Sequence, residues 1–175
     1  MKEAAMSNSE SYIKDTMIAW DIERENSGKN GKTLFDRLGG RSAIERVHKI
    51  FYDKIYAHVW IGKFFVNVTQ QHIEAQQSDF MQHLFGGPKN YSGRMPIDAH
   101  VHMMINEEMF RQRQELLEAS LIEAGVAQKE REDWVRIDGA FKKVILKKSV
   151  AECKGRYVTD PILDFPDPKA FPKAG

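Results

Sequence analysis

Residues 80–110 read FMQHLFGGPKNYSGRMPIDAHVHMMINEEMF. The stretch closes one helix and opens another. Phe80 and Leu84 continue an apolar face that begins at Ile73, and Gly86-Gly87-Pro88 stops it, because glycine favours the left-handed turn past a helix end and proline has no backbone donor. Asn106 is a cap residue followed by Glu107 and Glu108, acids suited to the positive end of a helix dipole. Between the two helices lie His100 and His102.

Working outward, the upstream helix is predicted to start near Thr69, and Gln76 and Gln77 sit inside its apolar stripe. Further back, Ser42-Ala43-Ile44-Glu45 follows Gly39-Gly40 and reads as a capping box. The helix it would start carries Ile44, Val47, Phe51 and Ile55 at helical spacing, with His48 and Tyr52 on the same inward face. Downstream, the Asn106 helix is predicted to run to about Glu123 and to break at Gly125. One last helix then carries Trp134, Ile137, Phe141, Val144 and Ile145 and closes with Lys147 and Lys148. No segment alternates like a strand, so the predicted class is all-α.

The periodic signal fails at both ends. Residues 1–32 form a polar N-terminal extension with a mildly apolar stretch at Tyr12 to Trp20, expected as a short helix, and a loop-like run from Asn26 to Gly31. Residues 151–175 hold Pro161, Pro166, Pro168 and Pro172 and are expected as a tail laid against a central domain of residues 33–150. The formal charge is only +1, and hydrophobic residues make up 42% of the chain, with no apolar run of membrane-spanning length. Nucleic acid and membrane are therefore not expected partners. The single cysteine, Cys153, can close no internal disulfide, the N-terminus lacks the pattern of a signal peptide, and the cytoplasm is the expected location.

Six histidines raise the question of a metal. His100 and His102 are two apart and would project roughly 200° from each other on a helix, with no cysteine pair or His-x-x-x-His to complete a zinc site. A heme needs only one axial imidazole and a large apolar slot. Periodicity does not choose among the histidines. Two further charges sit oddly. Arg113 falls among Met109, Leu116 and Leu117, and Asp138 between Ile137 and Phe141, so each is either at the surface or half of a buried ion pair.

Taken together, Leu38-Gly39-Gly40, Phe51-Tyr52, Phe64-Phe65, Gln77, Phe80, Leu84, Gly86-Gly87-Pro88, Tyr91, Gly93, Ala99-His100, Ile105 and Phe110 resemble the truncated hemoglobins, of the group I protozoan and cyanobacterial type. The resemblance spans roughly Thr33 to Val150. It implies a two-over-two helical sandwich holding heme b (iron protoporphyrin IX). By the same resemblance His100 is the axial iron ligand, and Phe65, Ile73, Phe80, Leu84, Ile105 and Phe110 surround the porphyrin. Tyr91 and Arg94 lie where the family contacts the propionates. Tyr52, Gln76 and Gln77 would form the polar distal set. Dioxygen at a ferrous heme draws partial negative charge, so donors there slow its release; a hydrogen bond to a charged acceptor contributes about 1.5–3 kcal/mol.

The implied function is reversible binding of dioxygen and other diatomic gases, nitric oxide and carbon monoxide among them. An enzymatic alternative is oxidation of nitric oxide to nitrate or reduction of peroxide, which would need an external reductase because the chain carries no flavin or nicotinamide domain. A third is a gas sensor whose tails contact a partner. His72 should point about 100° away from Ile73, and His48 lies one turn before Tyr52. Neither is expected as a sixth ligand.

Overall fold

The computed structural model describes residues 17–19, 21–22 and 31–170. Helix α1 (Leu34–Leu38) opens on a reciprocal cap: Asp36 N–H donates to Thr33 Oγ1 at 3.1 Å, and Thr33 N–H donates to the Asp36 carboxylate at 3.0 Å. Gly39, left-handed at φ 90°, ends it. Helix α2 (Arg41–Ala57) follows at once, with Gly40 at its N-cap and no side-chain cap. The capping box expected at Ser42 and Glu45 does not form. The helix starts two residues earlier, which places Ser42 inside the first turn, and the Glu45 carboxylate takes the Arg41 Nε–H at 2.7 Å instead.

Ile44, Val47, Phe51 and Ile55 are all buried, so α2 is the spine of the core. A 3-10 turn (Ile61–Phe65) leads to α3 (Gln70–Leu84), which packs on one side of α2, while α5 (Glu107–Glu123) packs on the other and carries α6 (Gln128–Gly139). The pairs α2/α3 and α5/α6 give the two layers of the sandwich. Arg37 fastens α1 to α6 through Glu130 and Asp133, both at 2.6 Å. Asn106 caps α5 by accepting from Met109 N–H at 2.9 Å, as predicted. The double glycine after α3 is where that helix end meets α1. Gly86 has φ 87°, and a Cβ there would lie 2.7 Å from Thr33 Cγ2; a Cβ on Gly87 would lie 2.6 Å from the Phe35 ring. Any side chain would push the two elements apart.

The single last helix expected through Trp134 to Ile145 is two. Helix α6 stops at Gly139 and α7 (Lys142–Ile145) restarts after Phe141, so Lys147 and Lys148 lie beyond the helix rather than in its last turn. Phe141 nevertheless stays in the core. Residues 17–19 and 21–22 are helical, and Ala19 and Ile22 join the same core; the rest of the expected helix at Tyr12 to Trp20, and the run Asn26 to Asn30, lie outside the described residues. The C-terminal segment returns across the domain. Leu163 pairs with Met103 in an isolated parallel bridge, and Phe165 sits edge-on to Phe64 at 4.9 Å while its carbonyl accepts from Trp60 Nε1 at 2.7 Å. Among the described residues there is no strand, and no helix is long and apolar enough to cross a membrane.

His48 is buried at this centre, its Nδ1 2.7 Å from Ser78 Oγ and its ring edge-on to Trp134. Burial above all, with Arg113 and Arg41 nearby, pushes its pKa down to about 3 from 6.5. The unfolded chain therefore takes up a proton below about pH 6.5 that the folded chain refuses until about pH 3, and stability falls through that window by up to about 1.4 kcal/mol per pH unit. Urea midpoints should show this. Between pH 6.5 and 4.5 the wild type is expected to lose about 2–3 kcal/mol more than a His48→Phe/Ser78→Ala variant, and equal losses would refute the assignment.

Candidate functional site

A cavity of about 1140 Å³ lies between α2, α3, α4 (Pro96–His100) and α5. It exceeds the roughly 300–1,000 Å³ usual for small-molecule sites. Tyr52, Phe65, Ile73, Gln76, Gln77, Phe80, Tyr91, Arg94, His100, Ile105 and Phe110 all stand on its wall. Leu84, expected with them, does not. It lies one turn past Phe80 on α3, fully buried in the helical core and off the cavity lining.

Helix α4 is a single turn opened by Pro96, whose fixed φ suits a first helical position. Its last residue is His100, with Nδ1 2.7 Å from the Pro96 carbonyl oxygen. A carbonyl oxygen only accepts, so Nδ1 carries the proton and the neutral ring presents the lone pair of Nε2. Burial, opposed by that hydrogen bond and aided by Arg113 and Lys147, lowers the pKa to about 4.

The peptide groups after His100 are held from outside α4. Lys147 Nζ donates to the carbonyls of His100 and Met103 at 2.9 Å, Lys154 N–H donates to the Val101 carbonyl at 2.9 Å, and Leu163 N–H donates to the His102 carbonyl at 2.8 Å. Four successive carbonyls, from His100 to Met103, are thus satisfied by residues beyond α7, and the C-terminal segment fixes the loop that follows the histidine. His102 borders the cavity too, but it is buried and its Nδ1 has no hydrogen-bond partner among the described residues. Tyr91 donates to the Arg94 carbonyl, and the Arg94 guanidinium donates to the Tyr157 hydroxyl while lying 4.9 Å over that ring.

Across the cavity, Tyr52 is packed edge-on against Phe51 and Phe65 at 5.1 and 6.0 Å. Burial raises its pKa, so the phenol keeps its proton and serves as a donor. Neither its hydroxyl nor the amides of Gln76 and Gln77 hydrogen-bond within the described protein. Three polar groups therefore face an apolar chamber unspent. His72 is exposed at the cavity mouth, and His48 is committed to Ser78.

Arg113 and Asp138, left open between surface and ion pair by the sequence, form the pair: Nη1 to Oδ2 at 2.5 Å and Nη2 to Oδ1 at 2.9 Å. Both also line the cavity, and sequence reasoning missed Asp138 there, as it missed Leu163 and Phe165 from the C-terminal segment. The Arg113 clue was there in its apolar neighbours. The C-terminal clue was not, since a proline-rich stretch carries no period from which to read a contact.

A helical sandwich around an apolar chamber, entered on one side by an imidazole nitrogen and on the other by uncommitted donors, defines a globin-type heme protein. Residues 33–146 match the model of the bacterial-like globin family, and the chain belongs to that family. It is 35% identical over 124 residues to the group 1 truncated hemoglobin of Tetrahymena thermophila, covering 71% of this chain and 96% of that one. The group 1 truncated hemoglobin GlbN of Synechocystis is 34% identical over 98 residues, 54% of this chain and 79% of that one. Among solved structures, the Fe(III) form of truncated hemoglobin from Tetrahymena pyriformis superposes with a TM-score of 0.63 at 32% identity, over 67% of this chain and all of that one. This chain is a truncated hemoglobin and a heme-binding globin.

Proposed function

We propose that the protein reversibly binds dioxygen and other diatomic gases at a heme b held by His100, with Tyr52 and Gln77 donating hydrogen bonds to the bound gas and Gln76 beside them. The observation that carries this reading is the Nδ1–H to Pro96 carbonyl bond, which leaves the Nε2 lone pair as the ring's one ligating nitrogen and fixes the ring's orientation, the usual arrangement around a metal-binding histidine. The heme supplies the iron that takes the gas. This chain's own residues supply the slot, one axial nitrogen and the donors opposite. Phe65, Ile73, Phe80, Ile105 and Phe110 keep water from the slot, and Tyr91 and Arg94 stand at the edge where propionates would emerge.

The solved structures of the Tetrahymena pyriformis protein include variants altered at a tyrosine and at glutamines twenty-one and twenty-five residues beyond it. The same intervals counted from Tyr52 reach Ile73 and Gln77. This spacing supports Tyr52 and Gln77 as the pair of donors and gives this chain an apolar residue at the position between. With His48 bonded to Ser78 and His72 exposed, neither histidine would compete with a gas for a heme held by His100. Because Leu163 and Phe165 join the wall, the functional unit runs past residue 150 to Phe165.

Hemin added to the full-length apoprotein is expected to saturate at one equivalent, with the spectrum of a single axial imidazole. Tyr52→Phe and Gln77→Leu should each release dioxygen roughly ten- to a hundredfold faster, the range a hydrogen bond to a charged acceptor gives. A bis-histidine spectrum, or release rates unmoved in both variants, would overturn the reading.

A further inference from the structure

We propose that Arg113 makes this pocket a site for small monovalent anions at the iron, received by the guanidinium N–H groups that its pairing with Asp138 leaves uncommitted. The proposal rests on the heme reading above and extends it to ligand class.

A guanidinium carries five N–H donors. Two of those of Arg113 go to the Asp138 carboxylate and one, at 3.3 Å, to Gln114 Oε1. Two have no partner among the described residues. The side chain keeps 25% of its surface accessible although it lies deep in the protein, and it lines the cavity, so that surface is turned inward rather than to solvent. It cannot swing away easily. Its Cζ lies 5.1 Å over the Phe51 ring and 5.9 Å over that of Phe110, and the Asp138 fork pins its far edge.

The carboxylate of Asp138 sets the strength of the effect. Its side chain is only 6% exposed, and it cancels most of the charge that Arg113 would present to a ligand. Charges in such an enclosed setting are screened weakly, so removing either partner changes the field in the chamber strongly and in opposite directions. A neutral ligand has no charge to respond. Steric change in the pocket would move neutral and anionic ligands together; a change in charge would separate them.

The test uses the full-length ferric protein loaded with heme and titrated at constant pH and salt with azide and nitrite, with imidazole as the neutral control. Asp138→Asn should bind both anions about tenfold more tightly, and Arg113→Met/Asp138→Leu about tenfold more weakly, while imidazole affinity changes less than twofold in each. Arg113→Gln, which keeps N–H donors but leaves the Asp138 charge uncompensated, should bind both anions more weakly than the double variant does. Thermal midpoints of the loaded proteins identify any variant that is unfolded, and the remaining variants then decide. Anion and imidazole affinities moving in parallel, or anion affinities unmoved, overturn this inference while leaving the heme reading intact. A wild type that takes up no hemin overturns both.

Discussion

The His100→Gly variant is expected to lose at least a hundredfold in hemin affinity and to regain the wild-type spectrum when free imidazole is added. The lower bound follows from a comparison: removing an outer partner of a metal ligand costs about 10–100-fold, and removing the ligand itself cannot cost less. The apolar wall formed by Phe65, Phe80, Ile105 and Phe110 stays in place, so hemin still enters, but without directed coordination. Free imidazole can fill the space vacated by the ring and donate to the Pro96 carbonyl as His100 does at 2.7 Å. His72→Ala and His102→Ala serve as controls. The first is exposed at the mouth, and the second lies within the loop whose carbonyls Lys147 and Leu163 hold. Both should keep the wild-type spectrum. A His100→Gly protein that stays red with unaltered bands would move the iron to another ligand.

The helices were legible wherever the apolar period was long and its ends carried cap chemistry. Asn106 before Glu107 and Thr69 before Gln70 mark the starts of α5 and α3 within a residue, because an asparagine cap and the loss of periodicity are local facts. The Ser42 box failed for a reason that was also local but undecidable from pattern alone. Two capping-box patterns stand nine residues apart around Gly39-Gly40, and only the conformation of the glycines determines that Thr33 and Asp36 form the reciprocal pair while Arg41 claims Glu45. The break at Ala140 was invisible because Phe141 and Ile145 keep their apolar identity on either side of it.

The site divides along the same line. Residues on α2, α3 and α5 reached the cavity because a helix face fixes direction, and the resemblance supplied which histidine to trust. Leu84 continued the stripe of Phe80 correctly, yet by then the helix had turned its stripe into the core. What the sequence could not show was anything depending on long-range return of the chain. The family match ends at residue 146, and Lys147, Lys154 and Leu163, which hold the peptide groups after His100, all lie past it. No period or motif announces a lysine that donates to carbonyls more than forty residues earlier.

Asp138→Ala is expected to destabilise the fold by about 3–5 kcal/mol, the cost of leaving one member of a buried ion pair unmatched. The geometry argues for the full range. Asp138 accepts two forked bonds at 2.5 and 2.9 Å, is almost inaccessible, and is the partner that raises the Arg113 pKa against the desolvation opposing it. With the carboxylate gone, Arg113 is held over Phe51 and Phe110 with no counter-ion and no easy path to solvent. Arg113→Met alone should cost a similar amount, because Asp138 then keeps a buried negative charge. The double variant Arg113→Met/Asp138→Leu should come back to within about 1–2 kcal/mol of wild type, since an apolar replacement of a whole buried pair is often neutral or better. The cycle therefore has a non-additive signature of several kcal/mol, readable from urea unfolding. Additive losses, or single variants as stable as wild type, would mean that the pair lies in effective contact with water; the low-dielectric chamber on which both its stability and its influence on a ligand depend would then not exist.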